Sequence, residues 1–250
     1  MPLSHSFSLL FLLSSLLIYL IHQIYLNQKI VIYNPSVWSY NSVRFELLYA
    51  LALVLTLHFI HFKSLLSAYY LYIHHFFMSV SQGLFQGVHF IEGYYLAPIL
   101  LLSFDLAYYL FHRFGHQYSF LWRWHKFHHT AEVLTPLTVL RLHPIELILR
   151  SLFIVGFTAM ITGLITPLAD QSNYQSLFYS LALSIFYFAG YHLRHSHVCL
   201  SFSYLEYLFI SPRMHQYHHL ILHKEQVKNY GLIFSFWDLL GKSFYRPLTT

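Results

Sequence analysis

Cysteine is almost absent. Cys199 is the single thiol in 250 residues, which rules out an intramolecular disulfide framework and a thiolate-only zinc site. A lone cysteine of this kind is expected to be a small, buried, apolar side chain. Charge is nearly as scarce: Asp, Glu, Lys and Arg make up 9% of the chain against 57% hydrophobic residues, a balance well outside that of soluble domains. The N-terminal stretch MPLSHSFSLLFLLSSLLIYLIHQIYL has no Lys or Arg before its apolar run and no small-residue cleavage signature. It is expected to be a retained membrane helix rather than a removed signal peptide. Repeats, low-complexity segments and heptads are also missing.

What the chain does have is apolar runs and histidine. Several runs approach the roughly 20 residues needed to cross a bilayer, so an all-α, multi-pass transmembrane bundle of about four or five membrane helices is expected. After the N-terminal run come Phe45 to Phe62, then Leu65 to Phe90, then Tyr94 to Phe111, Leu147 to Pro167 and Tyr174 to Tyr191. The segment Leu65 to Phe90 is broken by Ser79, Ser81, Gln82, Gly83, Gln86 and Gly87, and three placements stay open: crossing, re-entrant or interfacial. The formal charge of +5 is no nucleic-acid signature, because 11 of the 14 Lys and Arg follow His112 and mix with the histidine motifs. By the positive-inside rule that half is cytosolic where it leaves the membrane. Trp122 and Trp124 among Arg and Lys read as an interfacial belt.

The histidines cluster. Phe111 to His129, FHRFGHQYSFLWRWHKFHH, carries His112 and His116 four apart, then His125, His128 and His129; a second HxxHH triplet follows at His215, His218 and His219. Positions three or four apart share a helix face, so each motif presents imidazoles together. One HxxHH would arise by chance in roughly one such chain in eight, whereas two plus an HxxxH pair are hard to explain without metal. The hairpin from Leu147 to Tyr191 leaves the membrane on the side it entered. His192, His195 and His197 of YHLRHSHV therefore emerge beside the other clusters, at the cytosolic ends of the helices. Eight imidazoles plus one or two from that segment exceed one tetrahedral zinc and suit two ions of higher coordination number. No glutamate lies inside the motifs, which argues against HExxH peptidase chemistry.

Other polar residues have more local readings. Asp105, seven residues before His112, is expected either to accept an imidazole N–H and fix its tautomer or to cap or pair locally with Arg113. Glu132, Glu146 and Glu206 are expected to be solvated or ion-paired rather than ligands. His143, ahead of Pro144, is expected to order a bend. His5, His22, His58, His61, His74, His75, His89 and His223 lack the triplet pattern and are expected to pack or bond locally.

The stretches DLAYYLFHRFGH, LWRWHKFHH, LRLHPIE, LRHSHV, ISPRMHQYHH and KNYGLIFSFWDLL, in that order, resemble the fatty acid hydroxylase and sterol desaturase superfamily of membrane histidine-cluster di-iron oxygenases. The resemblance covers roughly Phe104 to Tyr245. It implies N-terminal membrane helices over 1–93 and a catalytic domain over 94–250. The implied ligands are His112, His116, His125, His128, His129, His195, His215, His218 and His219; His197 stands where many relatives have asparagine. The resemblance further implies two iron ions, O2 and two electrons used on an unactivated C–H bond of a bilayer lipid, fatty acyl or sterol. Electrons would come from a separate cytochrome b5-like or ferredoxin-like protein, no fused donor module being visible. Hydroxylation is preferred over desaturation because hydroxyl rebound asks less of a site. The membrane would be the endoplasmic reticulum in a eukaryote or the cytoplasmic membrane in a bacterium. Three rivals are a membrane di-zinc hydrolase, a metal or proton transporter, which would favour midplane sites on broken helices, and a haem electron carrier, for which triplets are surplus.

Overall fold

In a computed structural model, residues 39–84, 95–168, 191–196, 199–220 and 227–247 are described. The N-terminal apolar run, Tyr174 to Gly190 of the returning hairpin arm and His197 lie outside these residues. Among the described residues there are seven α-helices and no strand, only an isolated antiparallel bridge between Phe209 and Phe234. The helices are α1 (Asn41–Phe59), α2 (Phe62–Leu84), α3 (Leu96–Gln117), α4 (Ser119–His125), α5 (Pro144–Ile165), α6 (Pro212–Leu220) and α7 (Phe236–Leu240). Short 3₁₀ turns link them.

Two of these, α1 and α5, are long and apolar enough to cross a membrane. Helix α1 leaves Leu47, Leu48, Leu51, Val54 and Leu55 exposed. Such a broad apolar surface suits hydrocarbon, not water. The run expected to continue to Phe62 ends at Phe59, because His61 turns the chain at a φ of 51° before α2 begins. The ambiguous stretch after it is a continuous helix as far as Leu84, its serines and Gly83 accommodated without a break.

Helix α2 packs most extensively on α5, and small or hydroxylated residues set that contact. A Cβ at Gly163 would meet the His74 carbonyl oxygen at 2.5 Å, so only glycine lets the two backbones approach this closely. Around it Tyr70 Oη meets Thr162 Oγ1 at 3.0 Å, and the Ser81 hydroxyl donates to the Leu164 carbonyl at 2.7 Å. His74 is thereby a packing residue, bonded to Thr166 at 3.3 Å.

Helix α5 starts as expected from LRLHPIE. His143 caps it, its Nδ1 accepting from Ile145 N at 3.2 Å, and Pro144 occupies the first turn. Helix α3 lies against α5 through Phe111, Phe114 and Phe153, which brings the C-terminal end of α3 to the N-terminal end of α5. There α4, the irregular segment 126–142, the 3₁₀ turn Tyr191–His195, α6 and the C-terminal strap 227–247 gather into a cap.

Helix α1 is joined to that cap by a buried polar knot. The Glu46 carboxylate, 1% exposed, accepts from Thr135 Oγ1 at 2.8 Å, Thr138 Oγ1 at 3.1 Å and Arg141 Nη1 at 3.4 Å. Arg141 also donates to Ser42 Oγ and to Thr130, and lies over the rings of Phe45 and Phe127. Cys199, expected to be buried, is exposed instead; it sits in an irregular surface segment, where chain rarely packs into a core.

Candidate metal centre

The helical period explains how one HxxHH motif can serve two ions. Residues i and i+4 differ by about 40° around a helix, while i+3 falls about 100° from i+4. The outer pair of a triplet therefore faces one point, and the middle histidine faces another. The structure shows this division in α6, and the first triplet reproduces it across the end of α4, a turn and the 3₁₀ segment His128–Thr130. His112, His116, His125, His129 and His218 form one group; His128, His195, His215 and His219 form a second, and within each group the ligand atoms lie within 4.8 Å of one another. The first triplet gives its outer pair to the first group and His128 to the second; the other triplet does the reverse. The groups share a wall, His129 stacking on His219 with centroids 4.4 Å apart and an interplanar angle of 23°.

Nine of the ten expected ligands are thus brought together, including His195; His197 lies outside the described residues. His58, His61, His74, His75 and His143 belong to neither group, as expected.

Several of the imidazoles have their tautomer fixed from behind. His112 Nδ1 donates to the Tyr230 carbonyl and His218 Nδ1 to the Lys228 carbonyl, each at 2.8 Å, and His125 Nδ1 donates to Glu146 Oε1 at 2.8 Å. Each bond leaves an Nε2 lone pair turned into the cluster. There, His125 Nε2 faces His116 Nε2 at 3.0 Å and His129 Nε2 at 3.2 Å, while His195 Nε2 faces His128 Nε2 at 3.1 Å and His215 Nε2 at 3.0 Å. His218 Nε2 and His219 Nε2 are buried without a hydrogen-bond partner among the described residues.

Burial pushes His125, His128, His129, His195, His215, His218 and His219 well below the ordinary histidine pKa, and neighbouring imidazoles push them further. They are neutral, as metal ligands must be. Where both facing nitrogens are unprotonated, their lone pairs repel unless a cation lies between them. Two ligands at right angles on an ion with bonds of about 2.1 Å would be about 3.0 Å apart, and the facing nitrogens are spaced accordingly. The residues therefore fit a pair of metal ions.

A family model for fatty acid hydroxylase matches residues 97–243. The chain belongs to the fatty acid hydroxylase family. Two curated relatives are similar to it. One is the ornithine lipid hydroxylase OlsE of Rhizobium tropici, 26% identical over 147 residues, 59% of this chain and 41% of that protein. The other is the alkylglycerol monooxygenase of Danio rerio, 26% identical over 146 residues, 58% of this chain and 30% of that protein. The chain spans less than half the length of either relative. No solved structure matches.

Within this member of the fatty acid hydroxylase family the imidazole-holding role expected of Asp105 falls to Glu146. Asp105 touches neither an imidazole nor Arg113. It accepts from Ile233 N at 2.7 Å, Phe234 N at 3.1 Å and Trp237 Nε1 at 2.9 Å, because the C-terminal strap, distant in sequence, covers its face of α3. Asp238 holds the same strap by accepting from Tyr230 N and Gly231 N, each at 2.8 Å. Together they set the carbonyls of Lys228 and Tyr230 against His218 and His112, which explains what the family-like KNYGLIFSFWDLL contributes.

Glu146, expected to be a solvated or ion-paired acid, is 3% exposed and holds His125. Arg113 instead donates to Tyr109 Oη and the Gly241 carbonyl. Glu206 is ion-paired, to Arg213 at 3.1 Å and Arg246 at 3.0 Å. Trp122 lies against the cluster, its ring centroid 5.1 Å from that of His116 and 5.7 Å from that of His129, and Trp124 lies against His143. His195 is presented by a turn that Arg194 anchors through the Leu232 and Ile210 carbonyls and that Gln216 bonds at Leu193 and Ser196.

Proposed function

We propose that the chain is a membrane-bound oxidoreductase that uses O2 and two electrons to hydroxylate a C–H bond of a lipid at a di-iron site. Its carrying observation is the pair of adjacent, buried, neutral imidazole groups. The nine histidines His112, His116, His125, His128, His129, His195, His215, His218 and His219 would hold the ions, and iron bound there would supply O2 activation. Their nitrogen-only donor set, without thiolate or bridging carboxylate, favours iron over a zinc finger or HExxH site. Similarity to a lipid hydroxylase and a monooxygenase favours hydroxylation over desaturation.

The chain's own groups do the positioning. Glu146 and the carbonyls of Tyr230 and Lys228 hold imidazole protons at Nδ1, so Nε2 stays unprotonated. The Trp122 ring and the cap exclude water from the cluster, and apolar α1, α2 and α5 border a lipid phase from which the substrate enters sideways. We assign catalysis to 94–250 and membrane anchoring to 1–93, with the Glu46–Arg141 knot joining them. The cap faces the cytosol by its excess of Lys and Arg, within reach of a separate cytochrome b5-like or ferredoxin-like donor.

Lipid profiling by mass spectrometry, with and without expression, tests this reading. A gain of one oxygen in one lipid class is expected, abolished by His128→Ala. Loss of two hydrogens would mean desaturation, and an unchanged profile with stoichiometric zinc in the protein would favour a hydrolase.

A further inference from the structure

Helix α5 carries two charged residues in an otherwise apolar span: Glu146, taken by His125, and Arg150 one turn later. Arg150 is half-buried, with its guanidinium carbon 5.9 Å from the centre of the Tyr108 ring. Tyr108 in turn lies 5.7 Å from His112. One aromatic ring therefore separates the guanidinium from the first group of imidazoles.

Among the described residues no carboxylate lies within ion-pair distance of Arg150, whereas the other buried arginines are engaged: Arg141 with Glu46, Arg213 with Glu206, and Arg194 with two carbonyls. Glu146, at i−4, is turned to His125 instead. Glu146 still feels the Arg150 charge without bonding to it, and a guanidinium in an apolar helix with no bonded carboxylate marks a functional position. Its planar fork suits the paired oxygens of a carboxylate or phosphate. Near it on α5, Ile148 and Leu152 are exposed and apolar.

We propose that Arg150 binds the oxyanion of the lipid substrate. It makes the preferred substrate an anionic lipid, carboxylate or phosphate, whose oxidised carbon lies toward the headgroup rather than the methyl end. This inference rests on the lipid hydroxylase reading above, and Arg150 acts by positioning the substrate.

The test uses the full chain in phosphatidylcholine nanodiscs. Native mass spectrometry of the metal-free protein measures retention of oleate, phosphatidylglycerol or neutral diacylglycerol, with inorganic phosphate as competitor. The metal-loaded protein is then assayed for where oxygen enters. The wild type is expected to prefer one or both anionic lipids by roughly ten-fold or more. Oleate or phosphatidylglycerol identifies the oxyanion's source, and inorganic phosphate should displace the bound lipid only weakly. Arg150→Gln should erase the preference and raise KM for the anionic lipid far more than it lowers kcat, Arg150→Lys should restore part of it, and metal content should stay at the wild-type level. Arg150→Met, suited to an apolar helix, repeats the comparison if the Gln variant folds poorly. An undiminished preference in the Gln and Met variants, loss of metal with lipid preference intact, or oxygen at the methyl end would overturn the proposal. An iron-loaded wild type that oxidises no lipid would instead refute the hydroxylase reading, while the retention measurement still decides whether Arg150 binds the oxyanion.

Discussion

Glu146 and Asp105 are both buried carboxylates beside the histidine helices, and their different partners give different expectations. Removing the Glu146 acceptor in Glu146→Ala frees His125 to rotate and change tautomer, so metal affinity should fall roughly 10–100-fold with the fold retained; metal titration of the purified variant measures this. Asp105→Ala leaves two backbone amides and an indole N–H without their acceptor. It should lower the melting temperature before metal binding suffers in proportion. The clustered histidines of the pair and the two triplets were legible in the sequence from helical spacing and motif repetition, while His195 needed the hairpin topology and the family resemblance. The carboxylates were not. Seven residues put Asp105 on the His112 stripe, but which chain covers that stripe is a tertiary fact, and the 20 residues between His125 and Glu146 contain the turn that joins them.

At the scale of elements, α1 is an apolar helix outside the matched family region that is nonetheless tied to the histidine-bearing cap by buried polar bonds. Glu46→Ala would leave Arg141 charged and uncompensated in the knot, and should destabilise the protein by roughly 3–5 kcal/mol. The double replacement Glu46→Met with Arg141→Met should recover much of that. Denaturant unfolding in detergent checks both. The runs Phe45 to Phe62, Tyr94 to Phe111 and Leu147 to Pro167 were readable as helices because apolar length is a strong signal. The break at Ile60 and His61 was not, since Phe59, Ile60 and Phe62 carry the apolar run across it. The stretch after Lys63 was ambiguous for the opposite reason: its serines and Gly83 look like interruptions, yet Ser79 and Ser81 bond to backbone carbonyls, which removes their penalty in a helix.

The whole molecule brings three sequence-distant histidine clusters and the His195 turn to one end of a helical bundle, and its stability should carry their signature in pH. The cap histidines hold folded pKa values well below 6.5. The unfolded chain therefore takes up protons that the folded one refuses, and stability should fall as pH drops below about 6.5. Metal should be released in the same direction, because protons compete for the same nitrogens. Glu206 adds a later step. Burial pushes it up, but bonds from Ser201 and Ser211 and the charges of Arg213 and Arg246 outweigh that and leave it below 4.5. Its contribution is present above 4.5 and lost as pH falls through the lower folded value. Melting temperature and bound metal followed from pH 8 to pH 4 should show both phases.

The central claim is that two adjacent imidazole groups hold two iron ions. Metal analysis of the full chain purified without chelators tests it most directly. The account predicts about two irons per chain, bound together and lost together on acidification. One ion per chain, or stoichiometric zinc in a protein that consumes no oxygen, would contradict it.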